Sequence, residues 1–205
     1  MRIIMVFLVL TLLSGCASNM HKPRMEDEVA RFRSLDKQHF IDTITIKDDA
    51  FETYVVISTL NGFIQNWPRR HRLQPDSFLR GYIDKKTGIK SFKVYVHLKH
   101  YTGNWLYPYQ ANYGRPLRTS ETIRVSSDVD CGGYSCRYDE HAVFTVDEAE
   151  LRRMETLTPE DIATKTWVFK LKNQGGEDIM DGFNVNEILG FLEVMDNYKP
   201  IATLK

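Results

Sequence analysis

Alternation of apolar and polar residues is the main pattern of the chain from residue 40 onward. It is clearest over residues 91–99, where every second side chain is apolar: Phe92, Val94, Val96 and Leu98. A period of two predicts a β-strand with one apolar face. Seven further strands are predicted from weaker alternation or from β-branched and aromatic content, at residues 43–47, 51–60, 78–83, 105–112, 120–127, 137–146 and 165–172.

Helical patterns are shorter and less frequent. Asp147 with Glu150, and Asn184 with Glu187, have the capping-box spacing that starts a helix. A third helix start is Thr158 before a proline, and residues 25–39 predict a short helix with weak periodicity. The helix after Asn184 is predicted to pack on the sheet, because its apolar residues form one stripe, Ile188, Leu189, Leu192 and Met195.

Together these elements predict a mainly β (α+β) fold. We expect an antiparallel β-sandwich of about seven to eight strands, with a C-terminal helix packed on it. Residues 40–205 form a single β-rich domain in this interpretation, because they are enough for one core and contain no internal repeat. The glycines and acidic residues of 175–181 are predicted to form a hairpin turn.

The amino-terminal end has the pattern of an exported precursor. Arg2 adds a positive charge, and residues 3–13 are apolar except for Thr11. This run has about half the roughly twenty residues of a membrane-spanning helix, which is typical of a signal peptide. An ordinary signal peptide, or a buried apolar strand, is the alternative interpretation.

The four residues that follow the apolar core, Leu13-Ser14-Gly15-Cys16, resemble the lipobox of bacterial lipoproteins. The resemblance implies that residues 1–15 are a signal peptide that is removed, and that Cys16 is lipidated with acyl chains such as palmitate. Residues 16–39 would then be the lipidated cysteine, a tether and the short helix. Ala17 and Ser18 lack the aspartate that retains Gram-negative lipoproteins in the inner membrane. The implied location is therefore the outer membrane facing the periplasm, or otherwise the outer side of the cell membrane.

Composition limits the kinds of partner. The chain has 27 basic and 27 acidic residues, and this balance argues against a nucleic-acid binder, which normally carries a basic excess. The membrane is an expected partner through the lipid, and an envelope protein or a glycan is a further candidate.

Cys131 and Cys136 are the two cysteines left if Cys16 carries lipid. The four residues between them include two glycines, which allow the chain to reverse. In an oxidising compartment this spacing predicts a structural disulfide that pins a hairpin. A redox-active pair usually has two intervening residues, and a metal site lacks two further ligands. We therefore expect neither a cofactor nor a metal.

Aromatic residues are concentrated between residues 101 and 113. If residues 105–112 are a strand, Trp105, Tyr107 and Tyr109 share one face and are candidate ligand-binding residues for sugar rings or peptides. The alternative is that this face completes the core.

No pattern predicts catalytic residues. His141, with Asp139 on the same strand face and Ser126 and Ser127 nearby in sequence, has the residue types of a hydrolase triad around it but no nucleophile motif. The sequence therefore favours a non-enzymatic binding or assembly module of the envelope. The alternatives are an envelope hydrolase that uses His141, and a structural lipoprotein of an envelope complex.

Overall fold

A computed structural model describes residues 34–59, 73–132 and 135–201. The strands are β1 (Thr45–Lys47), β2 (Tyr54–Ser58), β3 (Leu73–Asp84), β4 (Lys90–His100), β5 (Pro108–Tyr113), β6 (Arg118–Gly132), β7 (Ser135–Val146), β8 (Thr166–Asn173) and β9 (Ile179–Asn184). The helices are α1 (Lys37–Thr43), α2 (Glu148–Arg152), α3 (Pro159–Thr164) and α4 (Val185–Asn197), with a 3₁₀ turn (Arg153–Thr156) after α2. The signal peptide, Cys16 and the tether as far as residue 33 lie outside the described residues.

The nine strands form one antiparallel sheet in the order β1-β2-β3-β4-β7-β6-β5-β8-β9. It curls into a half-barrel, so that Asp181 of β9 accepts a hydrogen bond from Ser77 of β3. The fold is thus mainly antiparallel β with a C-terminal helix, but with one more strand than predicted and one sheet instead of two. There is a single sheet because β6 is long. Its residues 118–121 pair with β5, and its residues 122–132 pair with β7. One strand therefore joins the two halves of the sheet.

The concave face of the sheet holds the core, and α4 packs on it as predicted. Gly81 of β3 allows this contact, because a Cβ there would lie 2.3 Å from the sulfur of Met195 and 3.0 Å from the ring of Phe191. On another side of α4, a Cβ at Gly190 would lie 3.1 Å from the carbonyl oxygen of Lys37, so α1 packs closely there. The layers are therefore the sheet, α4 and α1.

Several predicted boundaries differ from the structure by a few residues, and two of the differences lie near the candidate site or at the edge strand β9. The strand predicted at residues 105–112 begins only at Pro108, because Tyr107 has a φ of 51° and is not extended. The turn predicted at residues 175–181 is shorter, and β9 begins at Ile179. A Cβ at Gly182 would lie 2.2 Å from the carbonyl oxygen of Trp167, so β9 contains a glycine where β8 approaches closely.

The helices predicted after Asp147, Thr158 and Asn184 begin as predicted, but the two capping boxes do not form. The helix predicted at residues 25–39 lies mostly outside the described residues, and α1 begins at Lys37. Asp147 makes no side-chain cap hydrogen bond, and Asn184 caps α4 by accepting from the amide of Asn186. Glu187 hydrogen-bonds with Thr59. Helix α1 also runs across the boundary predicted at residue 40. No helix in the described ranges has the length and apolar character needed to span a membrane.

Candidate functional site

The candidate site is built around Glu140, a fully buried carboxylate on the concave face of β7. It accepts hydrogen bonds from Nε2 of His100 at 3.1 Å and from the backbone amides of Leu106 at 2.6 Å and Tyr107 at 3.1 Å. Burial alone would raise the pKa of Glu140, but these hydrogen bonds outweigh it and hold the pKa below its usual value. Glu140 is therefore an ionised anchor for residues 101–107.

The anchored segment is held from a second side at the same two residues. The carbonyl oxygens of Leu106 and Tyr107 accept from the amides of Gly175 at 2.9 Å and Gln174 at 3.2 Å, in the turn between β8 and β9. Leu106 is buried, at 2% exposure. These contacts keep Tyr107 at its positive φ, which costs a bulky residue about 1–3 kcal/mol. The backbone at Tyr107 is thus strained and held in place from two sides.

An aromatic platform forms on this segment, which we define as Trp105, Tyr107, Tyr138 and Arg124. The guanidinium of Arg124 lies 4.9 Å from the ring centroid of Trp105 and 5.0 Å from that of Tyr107. Tyr138 packs edge-on against Trp105, with the ring centroids 4.9 Å apart, and its hydroxyl donates to the carbonyl oxygen of Gly103. Tyr107 remains 41% exposed, so a fixed ring and a fixed cation face solvent together.

Tyr109 does not belong to this platform. Trp105 and Tyr107 approach each other, with ring centroids 6.4 Å apart, whereas Tyr109 lies in β5 on the other side of the irregular backbone at Tyr107. Its side chain is 42% exposed, and it interacts electrostatically with Lys172. The structure therefore joins two of the three predicted ligand-binding residues and separates the third.

Tyr138, Arg124, Glu140 and His100 were not predicted as part of the site. Only Glu140 gives a signal in the sequence, because it occupies an inward position of β7 in series with Ala142, Phe144 and Val146. A carboxylate at such a position requires hydrogen-bond donors from elsewhere. The contacts of Arg124 and Tyr138 depend on the path of residues 101–107, which alternation does not predict.

The β6–β7 hairpin beside the platform ends at the two cysteines. Cys131 and Cys136 pair directly across the hairpin, and their sulfur atoms lie 2.04 Å apart, at disulfide distance. Residues 123–132 of β6 are all exposed, because in the described structure β6 pairs with β5 only as far as residue 121 and beyond it has β7 on one side. A disulfide there joins the two strands near the hairpin end.

His141 lies on the convex face of β7, outside the platform. Its ring stacks on that of His97 at 4.0 Å, and burial lowers the pKa of both histidines. Asp139 bonds with Nε2 of His97 at 2.8 Å and accepts from Arg137 at 2.9 Å. Ser126 is the strand neighbour of His141, but within the described ranges no hydrogen bond connects them. In the described structure, His141 is therefore not placed to act as a general base on the Ser126 hydroxyl.

A second cluster of buried acids lies where the sheet curls back on itself. Glu187 is fully buried and accepts from the Thr59 hydroxyl at 2.7 Å, while its other oxygen has no partner in the described part of the chain. Burial raises the pKa of Glu187 to about 8, and it also raises the pKa of Asp181. Burial and the charge of Asp181 raise the pKa of Asp76 to about 6. Glu187 is therefore protonated at neutral pH.

A metal site and a ligand-binding cleft have little support. Over the described residues, no group of three His, Cys, Asp or Glu side chains is arranged to hold a metal ion. An open cleft of about 390 Å³ lies between α1, α4 and the 3₁₀ turn. Its charged side chains are largely engaged in ion pairs, such as Lys37 with Glu193 and Asp196 with Arg152.

Comparison with known proteins assigns no family to the chain. No protein-family model, no curated protein and no solved structure matches it. The function must therefore be argued from the geometry above.

Proposed function

We propose that the protein is an envelope lipoprotein that acts as a non-enzymatic binding or assembly module. The observation that carries the proposal is the aromatic platform, in which Arg124 lies against Trp105 and Tyr107 on a segment anchored by Glu140. Rigid aromatic side chains with a neighbouring arginine are enriched where proteins bind other molecules, because little conformational entropy is lost on binding.

The chemistry of the platform suits an envelope protein or a glycan. Exposed aromatic rings offer apolar contact to a side chain or to the face of a sugar ring. The guanidinium of Arg124 forms no ion pair within the described ranges and can donate to carbonyl, hydroxyl or carboxylate oxygens. A binding role also agrees with the strained backbone at Tyr107, since such strain is common at ligand-contacting positions.

Capture of partners from intact cells tests the binding role. We expect crosslinking of the wild-type lipoprotein to recover a defined partner, and Trp105→Ala and Tyr107→Ala to reduce that recovery. Tyr54→Ala is the matched control, because Tyr54 is 48% exposed but lies in β2, away from the platform. Unchanged recovery with folded platform variants would remove the platform from the proposal.

The lipid anchor places the module at the envelope and needs a separate test. Lipidation at Cys16 would hold the domain on the outer membrane, facing the periplasm, in a Gram-negative cell, or on the outer side of the cell membrane otherwise. We expect Cys16→Ser to accumulate as uncut, unacylated precursor, as followed by electrophoretic mobility and acyl labelling. Mature, membrane-bound Cys16→Ser protein would contradict the anchor.

A structural lipoprotein of an envelope complex is the second candidate. It would co-purify in fixed stoichiometry with a large assembly, and the platform variants would leave that assembly unchanged. Hydrolysis through His141 is the remaining alternative, and no hydrogen bond between His141 and a hydroxyl or carboxylate supports it in the described structure.

A further inference from the structure

The convex face of β1–β4 carries a concentration of cations and aromatic rings. Alternation in β3 and β4 buries Leu79, Val94 and Val96 in the core and directs the intervening side chains to the opposite side. Arg80 and Lys93 are direct cross-strand neighbours there, as are Phe78 and Tyr95. We call this surface the convex basic face and define it by Lys47, Arg80, Lys93, Lys99, Phe78, Tyr82 and Tyr95.

The cations of this face form no ion pair within the described ranges, although the charge of Lys99 acts on the nearby Asp76. Among the other described lysines and arginines most form ion pairs, namely Lys37, Lys85, Lys90, Arg118, Arg137, Arg152, Arg153, Lys165 and Lys172. Like charges directly opposite each other destabilise a sheet, yet Arg80 faces Lys93 without an acid between them. This repulsion destabilises the isolated domain, and a bound anion would relieve it.

Aromatic and hydroxyl groups hold these cations without neutralising them. The guanidinium of Arg80 lies 4.4 Å from the ring centroid of Tyr95 and 5.1 Å from that of Phe78, and its Nε donates to the Ser58 hydroxyl at 3.0 Å. Nζ of Lys93 lies 5.2 Å from the Tyr82 ring centroid. Cation–π contacts fix a side chain but leave its net charge available to a ligand.

The acidic groups near this face do not cancel its charge. Asp139 is engaged by His97 and Arg137, and the pKa of Asp76 is raised to about 6, so it is partly neutral near that pH. Both lie at the end of the face occupied by Lys99. Asp84, in the alternating series of β3 with Arg80 and Tyr82, accepts from the amides of Lys86 and Thr87 in the turn. Because this carboxylate is engaged in the turn, Lys47, Arg80 and Lys93 leave their part of the face basic.

We infer that the convex basic face binds an anionic glycan, a sugar polymer with repeated carboxylate or phosphate groups. Strands β1 to β4 cover three strand spacings, or about 14 Å, so the cations can meet several anionic groups of one polymer. The hydroxyls of Tyr82 and Tyr95, 2.7 Å apart between the cations, offer hydrogen bonds to sugar hydroxyls.

Two observations favour a glycan over other anionic partners. The chain as a whole has 27 basic and 27 acidic residues, without the basic excess typical of nucleic-acid binders. Helix α1, the first described element after the proposed tether, packs on α4 at the side of the sheet opposite to this face. The described chain therefore begins on the side of the sheet opposite to this face, so the segment towards the proposed lipid anchor leaves from that other side, an argument that rests on the anchor.

Binding of the full-length lipoprotein in uncharged detergent micelles to polygalacturonate tests the inference, with neutral dextran as the uncharged comparison. We expect binding to polygalacturonate that weakens with added salt, and none to dextran. The combined variant Lys47→Gln, Lys93→Gln and Lys99→Gln should weaken binding at least about tenfold. Arg80→Gln alone should also weaken it, because it removes the most firmly held cation.

The control is a second triple variant with the same change in charge, Lys86→Gln, Lys170→Gln and Lys199→Gln, at lysines outside this face and without ion pairs in the described structure. We expect it to bind within about twofold of wild type. An equal loss in both triple variants, binding to dextran, or equally tight binding of single-stranded DNA would each overturn the inference. Trp105→Ala should leave polygalacturonate binding unchanged, which separates this face from the aromatic platform.

Discussion

Two fully buried glutamates in the same domain have opposite pKa shifts. Glu140 accepts from His100 and from two backbone amides, and its pKa is lowered despite burial. Glu187 accepts only from Thr59 in the described structure, and burial raises its pKa to about 8. Both side chains are closed to solvent, but Glu187 is enclosed more deeply and has one donor, whereas three donors offset the effect of burial on Glu140.

The two glutamates also have different roles. Glu140 positions the candidate site, and Glu187 limits the stability of the fold when it ionises. Glu140 positions residues 101–107 and the aromatic platform by accepting from Leu106 and Tyr107. Glu187 joins α4 to Thr59, and Thr59 in turn hydrogen-bonds with the amide of Leu79 in β3. Ionisation of Glu187 would place a charge beside Asp181 inside the curled sheet.

The largest expected effect is from Glu140→Gln. The substitution removes a buried negative charge from three donors and leaves them poorly paired, so we expect a loss of roughly 3 kcal/mol in the free energy of unfolding. Denaturant unfolding measures it, and hydrogen exchange should be faster at the amides of Leu106 and Tyr107. Because folding lowers the pKa of Glu140, its ionised side chain stabilises the fold fully at any pH above the usual pKa of glutamate. This stabilisation is lost as pH falls through the lowered pKa of the folded protein.

A surface glutamate provides the control for that change. Glu148 pairs with Arg152 and is 43% exposed, so Glu148→Gln should cost less than about 1 kcal/mol. Similar losses from both variants would mean that the Glu140 hydrogen bonds hold the segment only weakly.

Glu187→Gln should act in the opposite direction, with a slightly smaller effect. The folded protein keeps a proton on Glu187 up to about pH 8, whereas the unfolded chain releases it near the usual pKa of 4.5. The contribution of protonated Glu187 to the free energy of unfolding should therefore be complete below the usual pKa of glutamate. It should be lost as pH rises through the raised pKa of the folded protein. At about pH 8.5 we expect the variant to be more stable than wild type by roughly 2 kcal/mol.

The pH dependence of unfolding, followed by denaturant titration across the acidic to alkaline range, measures this difference. The two proteins should have similar stability at acidic pH. A wild-type profile that does not fall on the alkaline side, or a variant that follows the same profile, would contradict a raised pKa at Glu187.

The smallest effect concerns the strained residue that Glu140 holds. Glycine adopts a positive φ without strain, so Tyr107→Gly should be more stable than Tyr107→Ala by roughly 1 kcal/mol. Thermal or denaturant unfolding of the two variants measures the difference, and both lose the same ring contacts. If alanine were as stable as glycine, Tyr107 would not be strained in solution.

Alternation predicted much of the sheet because it reflects a local property. Phe92, Val94, Val96 and Leu98 are all buried on one side of β4, and the apolar stripe of α4 packs on the sheet as its spacing predicted. Strand β9 escaped prediction because Asp181 and Gly182 resemble turn residues. Gly182 is explained only by the approach of Trp167, which no local pattern contains.

The candidate site was only half predictable for the same reason. Aromatic content predicted Trp105 and Tyr107, but the alternation that grouped them with Tyr109 fails at the positive φ of Tyr107. That φ is stabilised by Glu140, more than thirty residues away in sequence. Long-range hydrogen bonds of this kind override local propensity, and they are not encoded in any window around the residues they position.

The sequence by itself determined the alternating strands, the amphipathic last helix, the cysteine pair and the lipobox resemblance, because each depends on residues close together in the chain. Tertiary structure decided the single curled sheet, the anchoring of residues 101–107 and the grouping of Arg80, Lys93 and Lys47 on one face. It also decided which buried glutamate is charged, because a buried carboxyl takes its charge state from donors that only the fold brings to it.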